Sequence, residues 1–570
     1  MGTREILTLQ IGHYSNFVGT HWWNLQEASF NYDPTKASDD KEINHDILWR
    51  EGQTLKGETT YTPRLISFDL KGSLRTLKQE GILYDINTHE EVKWGGDVNL
   101  HQSVPIAKNQ YLQDLQDQEQ RVVDKTDYDS GKVDEDISEA ISASQSREDE
   151  VFGRKFYSLD DSVSVWSDYL KVYLHPKSTH IITEYTKDSE FDKFDIYGCG
   201  QSLLSNFDTR SEIEDKIHFF TEECDSIQGF HILLDTYDGF GGLGTGLLEY
   251  LKDEFNSKSL LTFGLTPADV QDNTPYHRAN RILNSALTYD SCSKYSSLFT
   301  PVSLASTLWK KMGPLVQFPY LDYKPIPYHT SSIIALALDT VTLPYRKTYD
   351  VDMRDLTDNL NSLGKKVASL NASLPFPVND NGHLVQSILS LEGTVPWTSL
   401  TPHVVSRACP FMQSVVLRGI TDLRVKSPRS YSNIPVEYSS CYTVNDVVQK
   451  YLQTNFTSAL SSGCVRKSPC DVLPPFPNIF HKSIDSNGFI SPVLRHPKQG
   501  VDKVPVLTSL QSSPDIHQLT QTLHTEAAKL NIKKHSRYIE AGLEEDAYLE
   551  VLHELSVLDS CYVNRGECLI

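Results

Sequence analysis

Short apolar runs along the chain alternate with stretches in which apolar residues recur every three or four positions, as strands exchanging with amphipathic helices do. Near the start, "EILTLQIG" reads as a strand, and "HYSNFVGTHWWNLQ" after it as a helix whose aromatic side packs on a sheet. A second strand, "RLISFDL" at residues 64–70, is set off by the turn-rich "GETTYTP". The alternation is clearest in "GFHILLDTYDGFGGLGTGLLEYLKDEF", residues 229–255. There a strand over 230–234 enters a Gly-rich turn and a helix bearing Leu247, Leu248 and Leu251, and the strand "LLTFGLTP" follows. This βαβ unit predicts a parallel α/β sheet with the Gly-rich turn at a strand's carboxyl end, where open sheets of this class bind ligands.

Other segments extend the pattern. "VSVWSDYLKVYLHP" reads as an amphipathic helix ending near Pro176, "IIALAL" at 333–338 as a buried strand or helix segment, and "QSVVLRG" as a strand. Residues from about 300 to 510 are harder to parse, because Pro, Ser and Asn are scattered among their strands. Towards the end, Ser513 is a good N-cap with Pro514 at the first helical position, and Ile516, Leu519, Leu523, Ala527 and Leu530 form one stripe. A final helix from about Glu545 carries Tyr548, Leu552, Leu555 and Leu558 on one side. The simplest reading of both stripes is that they face a core.

Composition removes several functional classes. With 570 residues, 39% apolar and 10% aromatic, the chain reads as a soluble globular protein of several domains. Its net charge of −22 argues against nucleic acid as a partner and against passive adsorption to anionic lipid. The nine Cys make no CxxC pair and read as reduced thiols, and the 19 His make no metal-binding motif. The start, "MGTREILTLQ", lacks an apolar signal core, and no run approaches the ~18 residues of a membrane span. Any membrane association is therefore expected to be peripheral. Residues 113–150 hold 13 Asp or Glu against 4 Lys or Arg, a composition expected for a solvated, disordered surface insertion.

The stretch "GFGGLGTG", residues 239–246, raises the question of chemistry. Glycines let backbone N–H groups close on an anion, and Gly239, Gly241 and Gly244 also match the dinucleotide spacing. An oxidoreductase reading has little support: Glu254 lies inside the helix, too near the motif to serve a ribose, and the unit begins about 230 residues into the chain.

Taken together, the segments resemble the tubulin and FtsZ superfamily, and more closely the Misato family of tubulin-like proteins. "REILTLQIGHYSNFVGTHWWN" is similar to tubulin's first strand and nucleotide loop, and "YTPRLISFDL" to its third-strand segment, including the acid at Asp69. "GLGTGLLEYLKDEF" resembles the helix after tubulin's glycine signature, and "YDVDMRDL" the loop and helix start that reach the neighbouring subunit's nucleotide. "VVLRG" and "RYIEAGLEEDAYLEVLHELSVLDSCY" resemble a second-domain strand and the last helix pair. Local forms such as "HWWN", "FPYLDY" and "ALDTVTLPYR" point to Misato.

The resemblance implies a tubulin/FtsZ-like α/β fold, with a Rossmann-like parallel-sheet N-terminal domain, a second α/β domain and C-terminal helices. The expected divisions are 1–270 with the acidic insertion, a core helix and linker at 271–310, the second domain at 311–510, and the helix pair at 511–570. It also implies a protein of the cytoplasm and mitochondrial outer membrane, acting in mitochondrial distribution, morphology, fusion and inheritance. Expected contacts are protein partners at the mitochondrial surface, the cytosolic chaperonin and tubulin.

A GTP site, with Mg²⁺, would by this resemblance use Gly12, His13, Asn16, Asp69, Gly239, Gly241, Gly242, Gly244 and Thr245. The sequence departs from the pattern at several of its positions. Registered on the helix, the signature G-G-G-T-G-S-G falls on residues 236–242, where Thr236, Tyr237 and Asp238 replace the opening glycines and Phe240 another. A carboxylate facing a phosphate ~4 Å away costs on the order of 4 kcal/mol at an effective dielectric of 20. In the first loop, His13 stands where tubulin has Gln, and Ser15 and Phe17 replace a Gly and a Gln. The expectation is a vestigial site and no catalysis, whereas a slipped register would return Gly239, Gly241, Gly242 and Gly244 to the phosphate. For hydrolysis the resemblance offers Asp355, with Asp352 nearby. Alternatively, Asp350, Asp352 and Asp355 are helix N-terminal acids favoured by the dipole.

Overall fold

The computed structural model describes residues 4–30, 43–53, 59–79, 106–118, 157–189, 193–270, 274–347, 351–361, 364–380, 382–390, 395–405, 409–426, 435–496 and 499–563. Most of the acidic stretch, residues 119–150, lies outside them. The strand β1 (Ile6–Ile11) leads into α1 (His13–Ala28), and β2 (Trp49–Gln53) and β3 (Thr59–Pro63) form a hairpin. Then come β4 (Leu65–Lys71), β5 (Thr179–Thr186), α2 (Tyr197–Ser205) and α3 (Phe207–Glu222). The βαβ unit is β6 (Gly229–Asp235), α4 (Gly239–Glu254) and β7 (Ser259–Leu265), and α5 (Pro275–Tyr295) and β8 (Leu298–Val302) follow.

These strands form one sheet in the order β5-β4-β1-β6-β7-β8, with every neighbouring pair parallel. Both β1 and β6 are buried along their whole length, as near-continuous apolar runs in a two-sided parallel sheet should be. Because β8 pairs with β7, this sheet extends into the segment read as core helix and linker.

The second sheet is mixed. After α6 (Pro327–Val341) and α7 (Met353–Leu360) come β9 (Ser369–Ser373), β10 (Thr398–Ser399), β11 (Met412–Arg418), α8 (Val444–Asn455) and β12 (Leu460–Arg466). The two-residue strands β13 (Cys470–Asp471) and β14 (Lys503–Val504) pair with each other, and β15 (Val506–Ser512) enters the sheet β10-β9-β15-β11-β12, in which only β11 and β12 run parallel. The run "IIALAL" falls within α6, which is buried along most of its length. That explains its lack of periodicity, since a helix covered on all sides needs no polar face.

Near the end of α6, the buried Asp339 binds Arg346 at 2.7 Å and also Arg418 of β11, while Gln26 of α1 bonds both Asp339 and Arg346. Burial works against the Asp339 charge, but Arg418 and Arg346 hold its carboxyl far below the usual range. This network ties the first sheet's helix layer to the second sheet.

Two local expectations change. Residues 163–176 form no α-helix; Trp166–Tyr169 make a short 3-10 turn and Pro176 begins another. A local side-chain cap and a tertiary bond outweigh the helical period there. Asp168 accepts the N–H groups of Ser164 and Val165 at 2.8 and 3.0 Å, and the Tyr169 hydroxyl donates to Phe17 O at 2.8 Å. Near the end, α9 (Ile516–Ala528) starts two residues beyond Pro514, with Asp515 at its cap, because residues 513–516 close a turn through Ile516 N–H to Ser513 O. The stripe residues Ile516, Leu519, Leu523 and Ala527 are buried, and α10 (Glu545–Tyr562) covers them.

Candidate nucleotide-type cleft

Strand order locates the crevice. From β1 the sheet grows through β4 and β5 on one side and through β6, β7 and β8 on the other. The switch point therefore lies between β1 and β6, and ligands of such sheets bind outside the carboxyl ends there. Gly12 follows β1 at that end with φ +123°, a backbone that favours glycine. Asp235, the last residue of β6, stands beside it, since Ile11 pairs with Leu234.

The Asp235 side chain fills the start of α1. Its Oδ2 accepts the Tyr14 N–H at 2.9 Å, and its Oδ1 accepts the Ser15 N–H at 2.8 Å and the Ser15 hydroxyl at 2.6 Å. A Cβ added to Gly12 would sit 2.4 Å from Asp235 Cγ. The carboxyl has no solvent exposure. Burial lifts it to about 7, against the pull of Ser15 and the two backbone donors.

The acid expected from the third-strand segment lies next to this pair. Asp69, at the carboxyl end of β4, faces His13 Nδ1 at 3.1 Å, accepts from Asn16 Nδ2 at 3.2 Å and from the Trp166 indole at 2.8 Å, and binds the Leu70 N–H at 2.8 Å. Burial opposes its charge, yet His13 and these donors hold Asp69 below its ordinary value. Lys187 donates to His13 Nε2 at 2.8 Å, which leaves Nδ1 to carry the proton towards Asp69. The fold thus brings Gly12, His13, Asn16 and Asp69 together.

The glycine-rich stretch is helix from its first residue. Asp238 caps α4, accepting the Phe240 N–H at 2.9 Å, and Gly239, Gly241, Gly242 and Gly244 all lie in the first turns. Burial and the neighbouring Asp235 push the Asp238 carboxyl well above its ordinary value. Each glycine is pressed against protein. An added Cβ at Gly242 would sit 1.9 Å from the Tyr197 carbonyl oxygen, one at Gly241 2.3 Å from Thr288 Oγ1, and one at Gly244 2.2 Å from Leu234 Cδ1. The Phe194 ring lies 2.9 Å from the Cβ position of Gly239, and Gly200 of α2 faces the Gly239 carbonyl oxygen at 2.0 Å by the same construction. Thr245 turns inward, donating to Gly241 O at 2.9 Å and meeting the Tyr197 hydroxyl at 2.7 Å. These glycines let α2, α5 and β6 approach the α4 backbone.

The candidate hydrolytic acids sit at the other end of the sheet. Asp352 is the N-cap of α7 and pairs with Arg4, which precedes β1, while Asp355 accepts the Asp352 N–H at 3.0 Å. The Met353 N–H reaches Gln228, which precedes β6, at 3.0 Å. Both acids serve as helix-terminal caps within this chain, and neither meets the crevice. Asp350 lies outside the described residues.

Sequence reasoning passed over Asp235, Trp166, Lys187 and Asn284. Asn284 of α5 accepts the Tyr197 N–H and the Tyr538 hydroxyl and donates to the carbonyls of Asp195 and Tyr237, each at 2.8 Å, so it fixes the crevice wall and the C-terminal segment together. Only Asp235 left a readable signal, as an acid closing an apolar strand just before a Gly-rich helix. Among the described residues, no group of three or more His, Cys, Asp or Glu could hold a metal ion.

Comparison with known proteins decides the kinship. The family model of the Misato Segment II tubulin-like domain matches residues 4–117, and that of the Tubulin domain matches residues 158–347. "Protein misato homolog 1" of Danio rerio is 37% identical over 578 residues, covering 98% of this chain and 97% of the relative. The human protein of the same name is 37% identical over 591 residues, covering 100% and 99%. The chain belongs to the Misato family. "Protein misato" of Drosophila melanogaster, 29% identical over 586 residues, covers 99% of each chain. The two matched segments contain the whole crevice, Gly12 and Asp69 in the Misato segment and Asp235 to Thr245 in the tubulin domain, so this Misato-family crevice is a tubulin-like one.

Proposed function

We propose that this Misato-family chain is a non-catalytic, tubulin-like protein that acts on mitochondrial distribution, morphology and inheritance through protein partners at the cytoplasmic side of the mitochondrial outer membrane. The observation that carries the non-catalytic part is the packing of α4. Its glycines touch α2, α5 and β6, and Asp238 caps its N-terminus where a phosphate would approach. The mitochondrial part rests on kinship with the family. Peripheral attachment fits the finding that no helix among the described residues is long and apolar enough to cross a membrane. The cytosolic chaperonin and tubulin are the partners that kinship with tubulin suggests. Depletion should fragment or cluster the mitochondrial network and re-expression should restore it; a normal network in depleted cells would overturn the proposal.

One observation favours a second reading, a self-assembling GTPase. Asp352 and Asp355 lie at the opposite end of the sheet from Gly12 and Asp235, where head-to-tail stacking would carry them to a neighbour's crevice. Such a filament requires bound GTP first, so this reading depends on nucleotide binding by the wild-type chain.

A further inference from the structure

We infer that Asp235 is a built-in occupant, a carboxyl group of the chain itself that takes the place of a phosphate at the N-terminus of α1. The inference rests on the reading that the crevice does not turn over nucleotide, and it names the residue that keeps phosphate out.

A helix start presents unsatisfied N–H groups and the positive end of the dipole, which is why phosphates settle there. In this chain those groups are already engaged. The Tyr14 and Ser15 N–H groups and the Ser15 hydroxyl all point to Asp235, at 2.9, 2.8 and 2.6 Å. The carboxyl is tethered at the end of β6, held by the parallel register with β1, and fully buried. Gly12 completes the fit. Its absent side chain is the space that Asp235 occupies, so here the glycine admits a carboxyl group of the chain. The other helix end facing the crevice is served in the same way, by Asp238 on the Phe240 N–H at 2.9 Å. An incoming phosphate would have to displace Asp235 or stand beside it, and beside the ionised carboxyl a like charge ~4 Å away lowers affinity by about three decades at an effective dielectric of 20. The fold is thereby complete without nucleotide.

The test is chemical rescue in the full-length protein. Asp235→Gly removes the carboxyl and frees its three donors, and inorganic phosphate is the probe, compared with chloride at equal ionic strength. The variant should melt below wild type in chloride and should regain several degrees with saturating phosphate, over and above the rise phosphate gives wild type. An equal phosphate response in the two proteins would overturn the inference. If Asp235→Gly does not fold, Asp235→Asn keeps one acceptor oxygen and is tested in the same way. Wild type supplies an arm independent of either variant. The Tyr14 and Ser15 amides should resist hydrogen exchange in nucleotide-free protein, unchanged by millimolar phosphate. Rapid exchange that phosphate slows would overturn the inference. If wild type binds no GTP and neither variant shows extra rescue, the Asp235 assignment fails while the non-catalytic reading stands; GTP bound stoichiometrically by wild type defeats that reading itself.

Discussion

Asp235 is subject to opposing demands. Burial, with Asp69 and Asp238 nearby, favours its proton, whereas Ser15 and two α1 amides favour its charge, and the outcome is a carboxyl group titrating near pH 7. A folded value above that of the unfolded chain, about 3.9, means the folded state holds the proton more tightly. The corresponding stability is fully present below about pH 4 and is lost as pH rises through about 7. Asp238 is shifted the same way, mainly by burial, while Asp69, held low by His13 and its donors, acts in the opposite sense at acid pH. Asp235→Asn cannot titrate. Its stability relative to wild type should therefore improve as pH rises from 4 to 7. Urea unfolding of both proteins across that range would check this, and a difference that does not change with pH would contradict it.

For an element, α4 makes the sharpest case. Gly242 meets the Tyr197 backbone carbonyl, which cannot swing aside, whereas Gly246 meets only the end of the flexible Leu204 side chain, with an added Cβ 2.4 Å from its Cδ1. Gly242→Ala should therefore destabilise the chain by about 3 kcal/mol or more, as overpacking against backbone does. Gly246→Ala should cost about 1 kcal/mol or less, because the helix gains propensity and Leu204 can turn away. Denaturant unfolding without any ligand separates the two; equal stability of Gly242→Ala and wild type would contradict the packing role. The β6-α4-β7 unit itself was legible, because apolar runs and a stripe of Leu residues mark it locally. The role of its glycines was not, since α2 and α5, which press on them, lie elsewhere in the sequence. Asp235 was hidden for the same reason: its partner Ser15 is 220 residues away. The misread helix at 163–176 shows the converse, a local period overridden by bonds from Asp168 and Tyr169.

For the whole molecule, the tubulin-like frame was readable because six separated motifs occur in the expected order, each tied to an element of the first sheet, α7, the second sheet or the C-terminal helices. The second sheet was harder to read. Its edge strand β10 has two residues, and β15 joins the sheet only after a long excursion through β13 and β14, so no regular alternation marks it. Asp339, Arg346, Arg418 and Gln26 lock the two sheets' layers together from positions far apart in the chain. The resulting picture is a tubulin-like body in whose nucleotide-type crevice the helix starts of α1 and α4 are engaged by the chain's own Asp235 and Asp238. The most direct test is guanine nucleotide on the purified wild-type protein, measured by chromatography after denaturation and by GTP titration with and without Mg²⁺. The purified protein should carry no nucleotide and bind none at millimolar GTP, whereas stoichiometric GTP would contradict a crevice closed by Asp235 and Asp238.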